Sequence, residues 1–296
     1  MTPLAAALVL ALAPTAAPAE DPAWVGTWAD PADPEFAYLL EEKRCGRIRD
    51  GKPEFFRMRV DGATLELERW GTVQEVGFAI DGDTLTVTEN GAKRVLQRTE
   101  KTPAKLLVEP YEIAEPRELA PEEVEAFQAE FRWLHDEDQR VRPRGGTPTP
   151  ASARAMTEVD ERNTARLLTI MADVGWVDAT RFGAETANTA FLIVQHTSDL
   201  RLMRTALPHI QADVEAKRLD GQPYALLFDR LQLNLGYVQR YGSQLCGLPT
   251  GGSALMPCED LAKVDEYRAE MGMGPLKDYL ALFGEDVPTL DEALGR

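Results

Sequence analysis

Polar side chains interrupt apolar, helix-like runs between residues 191 and 244, and these side chains could do chemistry. Gln195 and His196 follow the apolar run 187–194, and Asp229 with Arg230 interrupts a second run. A buried polar group that is left unpaired costs about 1 to 3 kcal/mol, so such groups pair with one another or line a pocket. The segment 239–244 carries a further set of polar side chains. We therefore predict that His196 and this segment lie close together and form the functional centre.

His196 is the candidate for proton transfer, because imidazole titrates near neutral pH. A histidine in this role needs a partner that orients it, and Gln195 or Asp229 could serve. Tyr241 or a nearby arginine could stabilise negative charge that develops on a substrate. This combination is typical of a hydrolase or lyase, although no nucleophile elbow, HExxH pair or Gly-rich phosphate loop accompanies it. A histidine that is satisfied within a helical core is the alternative interpretation.

The arginines of the same region indicate binding without reaction. Arg230, Arg240 and Arg268 could bind a carboxylate or phosphate group of a small anionic molecule. The predicted pocket also includes Gln195, Gln239, Gln244, Asp138 and Gln139. In the structural alternative, each arginine forms an ion pair with a neighbouring carboxylate, namely Asp229, Asp265 or Glu266.

Helical patterns dominate the chain from residue 118 onward and position these side chains. Apolar residues recur at helical spacing over 118–142 and 156–174, and the run 187–194 is apolar on nearly every face, which predicts a fully buried helix. Asp199 caps the next helix, which contains Pro208, and Pro223 opens another that ends at Gly236. Further helices are predicted over 261–271 and 275–284. The Gly- and Pro-rich stretch 143–152 is expected to be a flexible insertion.

Residues 24–112 show an apolar pattern of period two instead. Alternating segments at 56–60, 65–68 and 85–88 are separated by turn signals such as Asn90-Gly91, which predicts an antiparallel meander of about seven strands. We expect the interior to be filled by Trp28, Phe56, Trp70 and Phe78, so that this part serves as an adaptor. The fold class is thus α+β, with an N-terminal β meander or small barrel (20–112) and an all-α helical domain (118–296).

Residues 1–19 have the outline of a secretory signal peptide, with an apolar run and a small-residue cleavage site at Ala17-Pro18-Ala19. No Lys or Arg precedes the run, and it is too short for a membrane span. We predict export to the periplasm or medium, with no membrane span after cleavage. The net charge of −17 disfavours nucleic acid as a partner.

Three cysteines in an exported chain suggest one disulfide and one free thiol. Cys246 and Cys258 flank a Gly-rich loop and are the predicted pair, worth about 2 to 3 kcal/mol. Cys45 then stands alone. With three histidines and no CxxC spacing, the sequence predicts no metal site and no cofactor.

Short patterns in a fixed order resemble those of the DUF6624 family over residues 120–283. They are Gly175-Trp176, Phe182-Gly183, Gln195-His196, Leu207-Pro208, 225–230, 239–244, 264–268, Met271-Gly272 and 275–280. Asp138-Gln139 with Arg142, and Asp160 with Asn163, resemble upstream landmarks of the family. Val177 stands where the family often has Pro, and Ser243 where it often has Thr. The resemblance implies a helical domain and supports the choice of residues, but implies no reaction.

A second resemblance concerns residues 24–100. Gly26-Thr27-Trp28 and Arg98 are similar to the start and finish of a lipocalin-like barrel, in which an arginine of the closing strand covers the tryptophan. That resemblance implies a ligand cavity as the alternative to a filled interior. For the whole chain, the sequence favours an exported module that binds a small anionic ligand or a cell-envelope protein through the helical domain. The alternative is a hydrolase or lyase that uses His196.

Overall fold

The computed structural model describes residues 22–142, 149–284 and 286–296. Within these ranges, a closed eight-stranded antiparallel barrel is followed by a helical region with ten helices, which confirms the α+β class. The predicted signal peptide and residues 143–148 of the expected insertion lie outside the described residues. No helix in the described part of the chain combines the length and apolar character needed to cross a membrane.

The barrel is an up-and-down meander. Its strands are β1 (Gly26–Asp30), β2 (Asp33–Glu41), β3 (Arg44–Arg49), β4 (Lys52–Asp61), β5 (Thr64–Arg69), β6 (Thr72–Asp81), β7 (Thr84–Glu89) and β8 (Ala92–Thr99). Each strand pairs with its neighbour in sequence, and β8 returns to β1, where Trp28 lies opposite Arg98. Two-residue turns with both φ values positive, such as Asn90-Gly91, match the right-handed twist of the strands they join.

Apolar side chains fill most of the barrel interior, where the charged side chain of Arg47 is also buried. Trp28 and Phe56 are buried there as expected, with Phe78 partly buried against the same cluster. The Arg98 guanidinium lies 4.1 Å from the Trp28 ring centroid, so the closing strand does cover this tryptophan. The prediction that Trp70 fills the interior is wrong, because this residue lies at the β5–β6 turn and packs outside the barrel against the cluster that contains Leu233.

Helices occur in each of the segments predicted to be helical. They are α1 (Ala104–Leu107), α2 (Pro121–Val141), α3 (Pro150–Val174), α4 (Ala179–Phe182), α5 (Ala184–His196), α6 (Leu200–Glu215), α7 (Gly221–Asn234), α8 (Val264–Glu270), α9 (Leu276–Leu280) and α10 (Leu290–Ala293). Three short helices, α1, α4 and α10, were not predicted. Helix α5 is buried along most of its length and ends at His196, and the Asp199 side chain caps α6. Thr149 caps α3, so residues 150–152, expected in the insertion, form its first turn instead.

A small two-stranded sheet, β9 (Leu245–Gly247) and β10 (Ser253–Leu255), interrupts the helical region. It explains why the predicted disulfide is absent. The register pairs Cys246 with Ala254, whereas Cys258 lies opposite Gln239. All three cysteines lie in the described ranges and are free thiols, which corrects the expected Cys246–Cys258 bridge.

The main apolar core joins the barrel to the helices. Ala37, Ile48 and Phe55, on the outer face of the barrel, belong to the same buried cluster as Phe131 and Ile193 of the helical region. Polar contacts reinforce this junction, since the Arg44 Nε donates to the Leu235 carbonyl at 2.5 Å. The barrel and the helices are therefore packed directly against each other.

Candidate functional site

Three helices bring Asp138, Asp160 and His196 together. Asp138 lies in the last turn of α2, Asp160 in the middle of α3, and His196 at the end of α5. Two buried hydrogen bonds hold the helices in register: Asn163 Nδ2 donates to the Leu134 carbonyl at 3.3 Å, and Thr164 Oγ1 donates to Thr197 Oγ1 at 2.9 Å. The parts of the helices that carry the cluster are therefore held next to one another.

The Asp138 carboxylate orients His196. Asp138 Oδ1 lies 2.8 Å from His196 Nδ1, and the aspartate is only 2% exposed. Burial alone would raise the pKa of Asp138, but hydrogen bonds from His196 and Arg142 outweigh it and hold the pKa well below its usual range. Asp138 is thus ionised and can only accept, so Nδ1 carries the proton of this bond. In a neutral His196, Nε2 is therefore the free basic nitrogen.

Arg142, the C-cap of α2, links the two aspartates. Its Nη2 lies 2.7 Å from Asp138 Oδ1 and 2.5 Å from Asp160 Oδ1. Ligand atoms of Asp138, Asp160 and His196 lie within 4.8 Å of one another, a spacing that a metal ion could bridge. A cation at this position would have to displace Arg142 from both carboxylates. The arrangement is better described as an ion-pair network that fixes the histidine.

His196 opens onto a cavity of about 900 Å³ between the helices and one end of the barrel. Arg230 of α7 and Gln244 line the same cavity, so the structure brings three of the predicted residues together. His196 is 19% exposed, and its Nε2 has no hydrogen-bond partner within residues 22–142, 149–284 and 286–296. This nitrogen is thus not engaged by another described residue, and the histidine that carries it lines the cavity.

Arg230 is a half-buried cation held by neutral groups. Its Nη1 donates to the Gln195 carbonyl at 2.5 Å, and its Nε donates to Gln244 Oε1 at 3.3 Å. In the described part of the chain, no carboxylate lies within 4.0 Å of it. Burial and the like charge of Arg142 lower the pKa of Arg230. A guanidinium in this state is a favourable site for an anion that enters the cavity.

Asp229 has a different role from the one predicted. It is fully buried and accepts hydrogen bonds from the backbone N–H groups of Arg240, Tyr241 and Ser243. It therefore holds the loop 239–244 rather than the side chain of His196 or Arg240. Burial raises the pKa of Asp229, although the three donors oppose the shift. The physical reason is that this loop has no strand or helix partner for these donors, so a carboxylate supplies the acceptors.

Four other predicted residues stabilise the loop and its surroundings away from the cavity. Arg240 pairs with Glu259 at 2.9 Å, and Arg268 donates to the carbonyls of Tyr241 and Gly274. Gln239 is fully buried and donates to the carbonyls of Gln244 and Met256. Tyr241 packs edge-on against the rings of Tyr224 and Phe228, and burial raises its pKa to about 12.

The two remaining predicted residues lie beside the network. Gln195 supplies its carbonyl to Arg230, while its own side-chain Oε1 is buried without a partner in the described ranges. Gln139 is exposed, and its Nε2 donates to Asp138 Oδ2 at 2.8 Å. Gln195 thus contacts Arg230 and Gln139 contacts Asp138, and neither residue lines the cavity.

Comparison with known proteins identifies a family for this chain, and the function of that family is unknown. A family model described as a family of unknown function, DUF6624, matches residues 127–291, which is more than half of the chain. This chain belongs to the DUF6624 family. No curated protein and no solved structure matches it.

The DUF6624 match includes Asp138, Asp160, His196, Arg230 and Gln244, and it stops short of the barrel. The barrel nevertheless lines the cavity through Lys52, Arg69 and Trp70. Sequence reasoning missed these three for the site, because they lie in or next to hairpin turns more than 90 residues from His196 in the chain. The one feature of the sequence that could have indicated them is their place at or beside predicted turns, where side chains are exposed and can contact a ligand.

Proposed function

We propose that this DUF6624 protein binds a small anionic molecule in the cavity and acts on it as a hydrolase or lyase, with His196 as general acid or base. The carrying observation is the Asp138–His196 hydrogen bond of 2.8 Å in a histidine that lines the cavity beside Arg230. An aspartate behind a histidine orients the ring and stabilises the imidazolium that forms when Nε2 takes a proton. Positioned proton transfer of this kind contributes about 10² to 10⁴-fold to a rate.

Arg230 supplies the second half of the proposal. Its guanidinium lies in the cavity wall without a carboxylate among the described residues, and Gln244 holds its orientation. A substrate anion bound there places its neighbouring bonds beside His196. Arg230 can also stabilise negative charge that develops as a bond breaks.

Binding without reaction is the second candidate, and the fixed orientation of His196 favours the enzyme over it. Arg230 is sufficient to bind an anion. A histidine whose Nδ1 is held by a buried aspartate is needed only for proton transfer. The proposal keeps the small anionic ligand of the binding hypothesis and adds the proton transfer. Export, and with it a role in the cell envelope, is proposed from the pattern of residues 1–19 alone.

The test is a hydrolysis screen of the full chain against 4-nitrophenyl esters of phosphate, sulfate and carboxylic acids. For an ester that is turned over, we expect His196→Gln to lower kcat about 100-fold or more. Arg230→Met should raise KM, because it removes the anion-binding group. His135→Gln is the matched control, since His135 lies on the surface of α2 next to Asp136 and should keep the parent kcat.

Turnover that survives in His196→Gln would contradict the assigned role of the histidine. No turnover with any ester would contradict a hydrolase of these ester classes, and unchanged histidine NMR signals when the esters are added would contradict the shared anion site on which both reactions depend. The chain has only three histidines, so each signal can be assigned by one substitution.

A further inference from the structure

The cavity is basic in a protein that is strongly acidic overall. Five basic side chains line it, namely Lys52, Arg69, Lys105, Arg201 and Arg230, against two acidic ones, Glu109 and Asp199. The whole chain carries a net charge of −17. Positive charge concentrated in one cleft of an acidic protein attracts anions into that cleft.

Most of these cations are unpaired. Lys105 pairs with Glu35 at 2.6 Å, whereas the other four have no carboxylate within 4.0 Å among the described residues. Arg201 instead donates to the Glu109 carbonyl and lies over the Tyr111 ring. Of the two acids, Asp199 is occupied, because it caps α6 and accepts from the Tyr111 hydroxyl at 2.7 Å.

Two of the unpaired cations come from the barrel. Lys52 begins β4 just after the β3–β4 turn, and Arg69 ends β5 at the β5–β6 turn. They line the same cavity as His196 and Arg230, so the barrel side and the helical side both contribute cations to it. A ligand with a single charge would satisfy only one of these sides.

Trp70 lies next to Arg69 in an unusual backbone conformation. Its φ of 50° is in the left-handed region, which is sterically unfavourable for a bulky side chain. Its Nε1 donates to Asn234 Oδ1 at 3.2 Å, which ties the turn to α7, and the half-buried ring lines the cavity. An aromatic ring in this position can stack on a flat apolar part of a ligand.

From these observations we infer that the ligand is an organic phosphate, with its dianionic phosphate group between Arg230 and the barrel cations and an aromatic or other apolar part on Trp70. This inference rests on the proposed function for the site and names its substrate class. A phosphate monoester carries about two negative charges above pH 7, which matches cations on both sides. A cavity of about 900 Å³ holds a molecule larger than inorganic phosphate. The barrel is then part of the binding site, and selects the ligand by charge.

Isothermal titration calorimetry of the full chain at pH 8 tests this with phenyl phosphate and benzoate, which share a ring and differ in charge. We expect phenyl phosphate to bind about tenfold more tightly than benzoate, and more tightly than inorganic phosphate. Lys52→Met and Arg69→Met should each weaken phenyl phosphate binding about threefold or more. The matched controls are Lys93→Met on β8 and Arg59→Met on β4, which change the same barrel charge outside the cavity.

Equal affinities for phenyl phosphate and benzoate would overturn the ligand class. Equal losses in the cavity variants and in the Lys93 and Arg59 controls would overturn the role of the barrel. If phosphate binding depends on Lys52 and Arg69 but turnover survives in His196→Gln, the proton-transfer role fails and this inference stands. If only carboxylic esters are turned over, with His196 required, this inference fails and the proposed function stands.

Discussion

At the scale of single residues, the candidate site depends most on Asp138. Three donors meet on its buried carboxylate, from His196, Arg142 and Gln139. The same oxygen that orients the imidazole also receives Arg142, so the ring position and the local charge are set together. Loss of this carboxylate would release both groups at once.

We expect Asp138→Asn to lower the free energy of unfolding at pH 7 by about 3 kcal/mol, because Arg142 and His196 lose their buried partner. Urea denaturation followed by circular dichroism measures this. The neighbouring exposed residue provides the control, and Asp136→Asn should change stability by less than about 0.5 kcal/mol. A loss below about 1 kcal/mol for Asp138→Asn would contradict the assigned network.

The same variant gives a pH prediction. The pKa of Asp138 is lower in the folded protein than in the unfolded chain, so its stabilisation is present above the ordinary pKa of about 3.9 and is lost as the pH falls. The stability difference between parent and Asp138→Asn should therefore be largest near neutral pH and shrink below pH about 4. A difference that grows in acid would show that the folded-state pKa is raised instead.

The cysteines give a second residue-scale prediction. Burial raises the pKa of Cys45 and of Cys258 to about 12, so both thiols are protonated and slow to react in the folded protein at pH 8. Without reductant, a thiol assay in urea should find three free thiols per chain. Finding one free thiol would show a disulfide that the structure lacks, and peptide mapping would then identify whether it joins Cys246 and Cys258.

Sequence reasoning identified which residues are chemically important more readily than it identified their partners. His196 and Arg230 were predicted because polar groups in an apolar run are conspicuous. Asp138 was predicted for the pocket, but not as the partner of His196, since the two lie on different helices and their contact depends on how α2 and α5 pack. For the same reason, Asp229 was predicted to hold the side chain of His196 or Arg240, whereas it accepts hydrogen bonds from backbone N–H groups of the loop 239–244.

At the scale of elements, the conformation of the loop 239–244 depends on one buried side chain, that of Asp229. Asp229 of α7 accepts three backbone N–H groups from this loop, and Gln239 pairs with Gln244 across it. The loop in turn places the Gln244 side chain against Arg230. The position of the anion site thus depends on a carboxylate that does not face the cavity.

We expect Asp229→Ala to lower the free energy of unfolding by about 3 kcal/mol or more, because each stranded buried N–H costs about 1 to 3 kcal/mol. Phenyl phosphate binding should weaken as well, through the displaced Gln244. The control is Asp220→Ala at the start of the same helix, where an exposed carboxylate makes no capping hydrogen bond. Both effects can be read from one urea titration and one calorimetric titration per variant, and a loss equal to that of Asp220→Ala would refute the assignment.

Secondary structure was predictable where the hydrophobic periodicity agreed with the capping and turn residues at the ends of an element. The buried run of α5, the Asp199 cap of α6 and the hairpin turn at Asn90-Gly91 all follow from local rules. The sheet of β9 and β10 was missed, because each strand has only three residues and cannot show a period. Trp70 was placed in the barrel because aromatic residues usually fill such interiors, whereas its turn position directs it outward.

At the scale of the whole molecule, the barrel and the helices share a core. Ile48 and Phe55 on the outer barrel face are buried against the same cluster as Phe131. The sequence predicts two units, and the packing predicts that the helical unit depends on the barrel. Division of the chain near residue 112 would expose this apolar surface.

We therefore expect the fragment 118–296 to keep a mainly helical circular dichroism spectrum but to bind the dye ANS and unfold at lower urea than the full chain. Addition of a separately produced fragment 22–112 should suppress the dye signal. Equal urea midpoints for the fragment and the full chain would show that the helical region is independent of the barrel.

Export is the prediction that only the chain in its cell can test. The apolar run and the Ala17-Pro18-Ala19 site predict cleavage after Ala19. Intact-mass analysis of protein from the periplasm or medium should give a chain that begins at Glu20. Cytoplasmic protein that retains Met1 would contradict export.

The meander of the barrel also determines in what order the molecule can assemble. Every barrel contact between neighbouring strands is local in sequence, and only the β1–β8 pairing joins distant residues. Such a topology can form from residues 26–99 alone, without contacts from α2 or the later helices. The helices that follow then meet a finished surface rather than an unfolded chain. The folded barrel would serve as the template on which His196 and Arg230 are brought into one cavity with Lys52 and Arg69.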